Sequence, residues 1–272
     1  MRQWVALSGV ALLIASTAAA QDRVEVGGRQ VSVATDGMGS AALSVDGAVV
    51  LESGVIFLDP EAQVIGGVPV VTGVAGSGGN ACGAAPFVLA LPEGGSPGLY
   101  GPIDSCREFT MQVQPDGLVF ATEALPAEPG EIWVWNPVTG LTEALPEEFA
   151  ADPALGWDAL PTLAGAHPVE AMRLDGVLAA LQGGLSSDDY TAFAERISDL
   201  GSGDMTATGY LGEACLKVTC DADWALLYLD AKTETVYAIW HVAGDIENRT
   251  FPQDTTQWSA DAMQILRDRA GP

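Results

Sequence analysis

The sequence predicts a two-part fold: an N-terminal all-β antiparallel sandwich or barrel, then a C-terminal α+β part with helices packed on an antiparallel sheet. Three observations lead to this prediction. Short β-prone segments divided by Gly, Pro and Asp fill the chain to about residue 136, helical patterns follow, and a hairpin pattern comes near the end. The 272 residues suit one large domain or two ordinary ones. We assign residues 21–150 to a β-rich domain, 151–186 to a linker with a helix and 187–272 to an α+β module.

Residues 1–20 have the pattern of a secretory signal peptide. Arg2 supplies a positive charge, residues 4–15 form a short apolar stretch, and the alanines at 18–20 provide a small-residue cleavage site. The apolar stretch is shorter than the roughly 20 residues that a membrane-spanning helix needs. We therefore expect a periplasmic or secreted protein that has no membrane anchor once the signal is cleaved.

The β-rich domain consists of short strand patterns separated by turn residues. Turn signals such as Asp46-Gly47 and Asp116-Gly117 lie between these patterns, and no helical period is found among them. The predicted strands are residues 30–34, 41–45, 55–58, 87–91, 109–113 and 132–135. Short strands of this kind are typical of an antiparallel sandwich or a small barrel.

Helix patterns appear in the region that follows. Residues 147–168 contain three prolines and suit an irregular bridge. Residues 169–181 have apolar side chains at helical spacing, although Gly176 weakens the pattern. Residues 187–200 begin with a serine cap and an acidic first turn, and they predict a second helix.

The final part of the chain predicts a hairpin and a terminal helix. Strand patterns at 224–229 and 234–240 flank Asp230-Ala231-Lys232-Thr233, whose residues favour a turn. A further strand is expected at 206–214, and Ser259 is expected to cap the C-terminal helix.

The four cysteines predict two disulfide bonds, because an exported protein folds in an oxidising compartment. Three pairings are possible, and pairing of sequence neighbours, Cys82–Cys106 and Cys215–Cys220, is favoured. The chain-entropy relation assigns roughly 3.5 kcal/mol to the larger loop and about 2 kcal/mol to the smaller one. Since no Cys-x-x-Cys pair is present, neither a zinc site nor a thioredoxin-like redox site is expected.

Charge and composition exclude several classes of protein. There are 36 acidic and 11 basic side chains, which give a formal net charge of −25. Phosphate backbones and anionic lipids would repel such a chain, so we expect no nucleic-acid or membrane-surface partner. A hydrophobic content of 48% with only 17% charged residues argues against disorder. The charge favours a basic protein partner, although it would also serve simply to keep an exported protein soluble.

No motif predicts a catalytic centre, a metal site or a cofactor. Gly94-Gly95-Ser96-Pro97-Gly98 matches a Gly-x-Ser-x-Gly pattern, but Pro97 has no N–H to donate to an oxyanion, so a turn is predicted. Neither His167 nor His241 has a second metal ligand nearby in the sequence. Asp221-Ala222-Asp223 begins like a calcium loop but lacks the glycine that such a loop needs.

One segment resembles a known family. Cys215-Leu216-Lys217-Val218-Thr219-Cys220 closes a tight loop that is followed by Asp221, a hydrophobic hairpin and a terminal helix. With these features residues 187–272 resemble the periplasmic inhibitor-of-vertebrate-lysozyme family. The resemblance implies a Cys-x4-Cys disulfide loop that projects from a sheet backed by helices. In the family this loop reads Lys-Pro-His-Asp and its His enters the lysozyme cleft, whereas the four positions here contain no His.

Three functional hypotheses follow. The leading one is a non-enzymatic, inhibitor-like binding protein whose loop presents Lys217, Val218 and Thr219, with Lys217 offering a cation to a carboxylate. The alternative for the loop is a stapled turn without a binding role. The second hypothesis is a secreted hydrolase with an acidic site in the β-rich domain. The third is a small-ligand or carbohydrate binder, because Trp133 and Trp135 project from the same face of one strand.

Overall fold

A computed structural model describes residues 23–36, 39–79 and 82–270, and the chain forms two compact units. The first unit contains the described residues up to Phe120 together with Trp133–Thr142. The second unit contains Ala121–Ile132 together with the chain from Glu143 onwards. The predicted signal peptide lies outside the described residues.

The first unit consists of antiparallel β-sheets, which confirms the all-β prediction. Its strands are β1 Arg23–Val26, β2 Arg29–Thr35, β3 Ala41–Val45, β4 Ala48–Ser53, β5 Val55–Leu58, β6 Gln63–Ile65, β7 Val68–Gly76, β8 Ala85–Ala90, β9 Gly98–Tyr100, β10 Thr110–Gln114, β11 Gly117–Ala121, β12 Ile132–Asn136 and β13 Gly140–Glu143. The first sheet has the order β1-β2-β3-β4 and the third has the order β10-β11-β12-β13. The second has the order β5-β7-β8-β9, and β6 also pairs with β7.

The second sheet is the middle layer of this unit, because both of its faces are buried. The core that it shares with the first sheet includes Val31, Leu43, Phe87 and Leu89. The core that it shares with the third sheet includes Val70, Val88, Leu118 and Trp135. Burial on both faces explains why β8 is apolar throughout instead of alternating. Within this unit the disulfide Cys82–Cys106 forms as predicted, with its Cα atoms 4.7 Å apart.

The second unit combines helices with one antiparallel sheet, which confirms the α+β prediction. Its helices are a 3₁₀ helix at Trp157–Leu163, α1 Pro168–Met172, α2 Val177–Gly184, α3 Ser187–Ile197, a 3₁₀ turn at Thr255–Gln257 and α4 Ala260–Ala270. Its strands are β14 Leu200–Met205, β15 Gly209–Cys215, β16 Trp224–Asp230, β17 Thr235–His241 and β18 Arg249–Phe251. They pair in sequence order from β14 to β18.

Both faces of this sheet are covered by helices. Helices α1, α2 and α3 pack on one face, where the core includes Met172, Leu181, Phe193, Leu227 and Trp240. Helix α4 packs on the other face, where the core includes Leu226, Tyr228, Tyr237, Ala262 and Leu266. Because neighbouring residues of β16 and β17 point to opposite faces, each strand contributes to both cores. The most exposed strand of the sheet is the edge strand β14, whereas β15, β16 and β17 are mostly buried.

The helix predicted at 169–181 is wrong in its extent, since the structure divides it into α1 and α2. Gly176 has a φ of +85°, a left-handed conformation that precedes α2 and that glycine adopts without strain. The predicted cap at Ser259 is observed, and α3 is capped by Ser186, one residue before the predicted start at residue 187. The side chain of Ser186 accepts a hydrogen bond from the N–H of Asp189, and that of Ser259 accepts one from Ala262. The second predicted helix ends at Ile197, before Leu200 begins β14.

Membrane-spanning helices were predicted to be absent. In residues 23–36, 39–79 and 82–270 no helix is both long and apolar enough to span a bilayer.

Candidate binding site at a disulfide-closed loop

The candidate site is the connection between β15 and β16 at one end of the second unit's sheet. Strand β15 ends at Cys215, and the disulfide to Cys220 closes the loop at a Cα–Cα distance of 4.8 Å. This pairing confirms the predicted local disulfide. The chain then makes a second short turn before β16 begins at Trp224.

Backbone hydrogen bonds fix the shape of the loop. The N–H of Leu216 donates to the carbonyl oxygen of Asp223 at 3.0 Å, and the N–H of Thr219 donates to that of Leu216 at 3.0 Å. The N–H of Asp223 donates back to the carbonyl oxygen of Thr219 at 2.7 Å. A fourth bond comes from outside the loop, since the N–H of Lys217 donates to a carboxylate oxygen of Asp199 at 2.8 Å. The loop is therefore held on both sides.

The tip of the loop is exposed to solvent. The Val218 side chain is 92% exposed, and Lys217 beside it is also exposed. Lys217 takes part in none of the ion pairs found between described residues. Thr219 is half-buried, and its side chain hydrogen-bonds to Asp223. Of the three predicted binding residues, two thus face solvent and the third supports the loop.

A buried ion pair lies directly beneath the loop. Arg196 of α3 pairs with Asp223, and both residues are about 95% buried, with exposures of 5% each. Arg196 also donates from Nε to the carbonyl oxygen of His241 at 2.9 Å and from Nη1 to that of Ala192 at 2.7 Å. The pair therefore joins α3, the base of the loop and the end of β17.

The carboxylate of Asp223 has a strongly perturbed pKa. The backbone N–H of Ala243, which donates to it at 3.0 Å, is the largest cause, followed by the hydrogen bond from Thr219. Burial acts in the opposite direction, and the Arg196 guanidinium adds to the lowering. Together these lower the pKa of Asp223 to about 2. Asp223 is thus ionised and held in place, which gives the loop a fixed base.

The last row of the sheet lies beside the loop. Leu200 pairs with Cys215, Cys215 with Trp224 and Trp224 with His241, so these four residues form one row from β14 to β17. Directly paired residues share a face, so all four side chains lie on the side of the sheet that α4 covers elsewhere. The His241 ring stacks on Trp224 at 6.2 Å between centroids, and its Nδ1 donates to the carbonyl oxygen of Ala222 at 2.8 Å.

The structure places both histidines in supporting roles near this loop. The Nε2 of His167 donates to the carbonyl oxygen of Asp199 at 2.6 Å, and its Nδ1 accepts the N–H of Val169 at the start of α1. The carboxylate of Asp199 is the group that holds Lys217. No group of His, Cys, Asp and Glu suited to a metal ion is found among the described residues.

The alternative of a tryptophan platform is not supported by the structure. Trp135 is fully buried in the core between the second and third sheets, where its ring contacts Tyr100 edge-on at 5.9 Å. Trp133 packs against the same core and is partly buried. The two side chains therefore serve packing and do not form an exposed pair.

Sequence reasoning missed the residues that support the loop. Apart from the bond from Arg196 to Ala192 within α3, the hydrogen bonds of Arg196, Asp199 and His241 span 18 to 45 positions, so no local pattern links these residues to the loop. Asp223 was considered only as part of a possible calcium loop, whereas it pairs with Arg196. The one available signal was that Arg196 lies on the apolar face of the predicted helix beside Phe193 and Ile197.

Removing the disulfide tests how far it stabilises the loop. We expect the double substitution Cys215→Ala with Cys220→Ala to lower the free energy of unfolding by about 2 kcal/mol, because the closed loop spans only a few residues. Urea unfolding of the double variant and of the wild type measures this difference. A loss above about 4 kcal/mol would mean that the bond also stabilises the rest of the unit.

Comparison with known proteins identifies the family. The chain is 34% identical over 206 residues to the uncharacterized protein y4bG of Sinorhizobium fredii (strain NBRC 101917 / NGR234), covering 75% of this chain and 74% of that protein. The chain belongs to the y4bG family. Residues 27–148 match the family model described as the y4bG N-terminal domain. Residues 176–272 match the model of the inhibitor of vertebrate lysozyme family, which confirms the resemblance and extends it to include α2.

A search of solved structures gives a weaker likeness. A subtype N11 neuraminidase-like protein of A/flat-faced bat/Peru/033/2010 (H18N11) aligns with 82% of this chain and 56% of its own, at 9% identity and a TM-score of 0.28. A TM-score this low carries no information about the fold or activity of the y4bG-family chain.

Proposed function

We propose that this y4bG-family chain is an exported, non-enzymatic binding protein that inhibits an enzyme of the vertebrate lysozyme type. Its loop between Cys215 and Cys220 enters the partner's active-site cleft with Lys217 and Val218 leading. The single observation that carries this proposal is the tip itself, which is exposed and yet fixed by hydrogen bonds on both sides. The match of residues 176–272 to the lysozyme-inhibitor family supports the choice of partner.

The chemistry of Lys217 suits such a cleft even though the loop lacks a histidine. A retaining glycosidase holds two carboxyl groups about 5 to 5.5 Å apart, and one of them is ionised at neutral pH. A lysine ammonium has three donors and no acceptor, so it can donate to both carboxyl groups at once. Lys217 has no competing ion pair among the described residues, so its charge is available to the partner.

The fixed shape of the loop contributes to affinity. A flexible loop loses conformational entropy when it binds, and a loop that is ordered beforehand avoids much of that loss. Here the disulfide, the Asp199 bond to Lys217 and the Arg196–Asp223 pair all act before binding. The same features would be unnecessary in a turn that only connects two strands.

The charge of the whole chain favours a basic partner. With a formal net charge of −25, the chain attracts cationic proteins over long distances and speeds their association. The lysine at the tip then meets the acidic cleft of such a partner at short range. The chain as a whole is negative and the tip of the loop is positive. The proposed partner is therefore a basic protein that carries carboxylates inside a cleft.

A titration with chicken egg-white lysozyme tests the proposal. The oxidised chain from residue 21 onwards is added to the enzyme, and both the heat of binding and the rate of cell-wall hydrolysis are measured. We expect a one-to-one complex and a rate that falls in proportion to the bound fraction. Full hydrolysis at a tenfold excess of the chain, with no heat of binding, would overturn the proposal.

A further inference from the structure

A groove lies beside the loop, along the row of paired residues that ends the sheet. We infer that this groove makes a second contact with the same partner. It binds one large apolar side chain from the rim of the partner's cleft. The inference rests on the proposed function and goes beyond it by naming a surface outside the loop. The residues that line the groove include Leu200, Ser202, Cys215, Cys220, Trp224 and Ala270.

The groove is continuous with the loop that enters the cleft. The disulfide between Cys215 and Cys220 forms one of its walls, so the groove borders the base of the loop. A cleft that admits the loop has a rim, and the groove is the surface on which this rim rests. The position of the groove therefore specifies the same partner.

Apolar surface is exposed here without a partner from the chain's own core. Leu200 is 59% exposed although it lies in a strand, and Trp224 is only partly buried by the core under α4. The terminal residue of α4, Ala270, lines the groove instead of covering it. One exposed and one half-buried large apolar side chain thus lie together here, and contiguous apolar surface marks interaction sites more often than single scattered residues do.

The chemistry of the groove specifies an apolar occupant. Its volume is about 500 Å³, which is sufficient for an aromatic or long aliphatic side chain. The charged groups that line it are Glu213 and Arg269, which pair with each other at 3.1 Å. Among the described residues that line it, the groove is therefore locally neutral on a chain of net charge −25, and these residues offer no unpaired carboxylate to attract a basic side chain.

Leu200→Asp tests the groove and leaves the sequence of the loop unchanged. Its matched control is Ile246→Asp, because Ile246 is 99% exposed in the same unit and is not among the groove residues. A second variant, Ser202→Tyr, fills the groove from its exposed side without adding charge. Affinity for chicken egg-white lysozyme is measured by calorimetry, melting temperature verifies folding, and sedimentation gives the mass of the free protein.

We expect Leu200→Asp and Ser202→Tyr to weaken binding at least tenfold, and Ile246→Asp to change it less than twofold. If both groove variants bind lysozyme as tightly as the wild type does, the inferred contact at the groove is overturned and the proposed function stays intact. The inferred contact is also overturned if sedimentation shows that the free wild type is a dimer and Leu200→Asp is a monomer. In that case the groove binds a second copy of the chain. If the wild type itself does not bind lysozyme, the proposed function fails and the groove fails with it.

Discussion

Replacing Asp223 by alanine is expected to lower the free energy of unfolding by about 3 to 5 kcal/mol, because it leaves the buried Arg196 without its counter-ion. The substitution also removes the acceptor for the N–H of Ala243 and for the side chain of Thr219. Each of these donors would then lack its present partner. The variant would therefore hold the loop less firmly, and the second unit would be less stable.

Urea unfolding followed by tryptophan fluorescence measures this loss. The matched control is Asp221→Ala, since Asp221 is an exposed carboxylate two positions away in the same turn. We expect the control to stay within about 0.5 kcal/mol of the wild type, as surface substitutions usually do. If Asp223→Ala is no less stable than Asp221→Ala, the ion pair does not support the loop.

The same carboxylate predicts a dependence of stability on pH. The pKa of Asp223 is about 2 in the folded chain against an ordinary value of 3.8, so the folded state favours the ionised form. The ionised carboxylate of Asp223 therefore adds to the free energy of unfolding above pH 3.8, and this stabilisation is lost as the pH falls from 3.8 towards 2. Asp223→Asn removes this contribution, so the stability difference between wild type and variant should shrink across that interval. A constant difference would contradict the assigned pKa.

Replacing Lys217 by glutamate is expected to weaken binding to chicken egg-white lysozyme at least 30-fold. Removing one partner of a buried charge contact costs about 2 kcal/mol or more, and the glutamate adds repulsion from the cleft carboxylates. The folded chain itself should change little, because the substituted side chain is exposed and its backbone N–H still reaches Asp199. Calorimetry gives the affinity, and the melting temperature verifies the fold.

The chain provides its own control for this charge reversal. Lys232 is the other lysine, and it is exposed in the turn between β16 and β17, at the opposite end of β16 from the loop. Lys232→Glu changes the net charge by the same amount, so long-range attraction to a basic partner changes equally in both variants. If the two substitutions weaken binding to the same degree, the effect of Lys217 is one of overall charge, and the loop has no specific role.

Features set by local chemistry could be predicted from the sequence. The turn after Asp230 is marked by residues that bond their own backbone, and Asp230 indeed accepts the N–H groups of Lys232 and Thr233. The caps at Ser186 and Ser259 follow from the same kind of short-range bond. The local disulfides follow from the spacing of the cysteines together with the expected compartment.

Features set by tertiary packing could not be predicted in this way. Strand β7 was missed because Pro69, Gly73 and Gly76 lower the strand propensity of its sequence. Strand β14, Leu200–Met205, was missed because its glycines and polar residues have low strand propensity. It forms because β15 supplies a paired edge, which no residue of β14 itself reveals.

One part of the candidate site could be predicted from local sequence, and the other part depends on tertiary contacts. The loop was predicted from Cys215 and Cys220, and the exposure of Lys217 and Val218 follows from the tight closure between them. The groups that hold it, Asp199 and the Arg196–Asp223 pair, are joined to it only by folding. The sequence therefore predicts which residues lie in the loop but does not predict that the loop is rigid.

Competition with a cleft ligand tests the central claim most directly. A trisaccharide of N-acetylglucosamine occupies the lysozyme cleft, and binding of the chain to chicken egg-white lysozyme is measured at increasing trisaccharide concentrations. If the Cys215–Cys220 loop enters the cleft, the apparent Kd rises in proportion to the trisaccharide concentration once the cleft is saturated. An apparent Kd that does not change with the cleft fully occupied would contradict the claim.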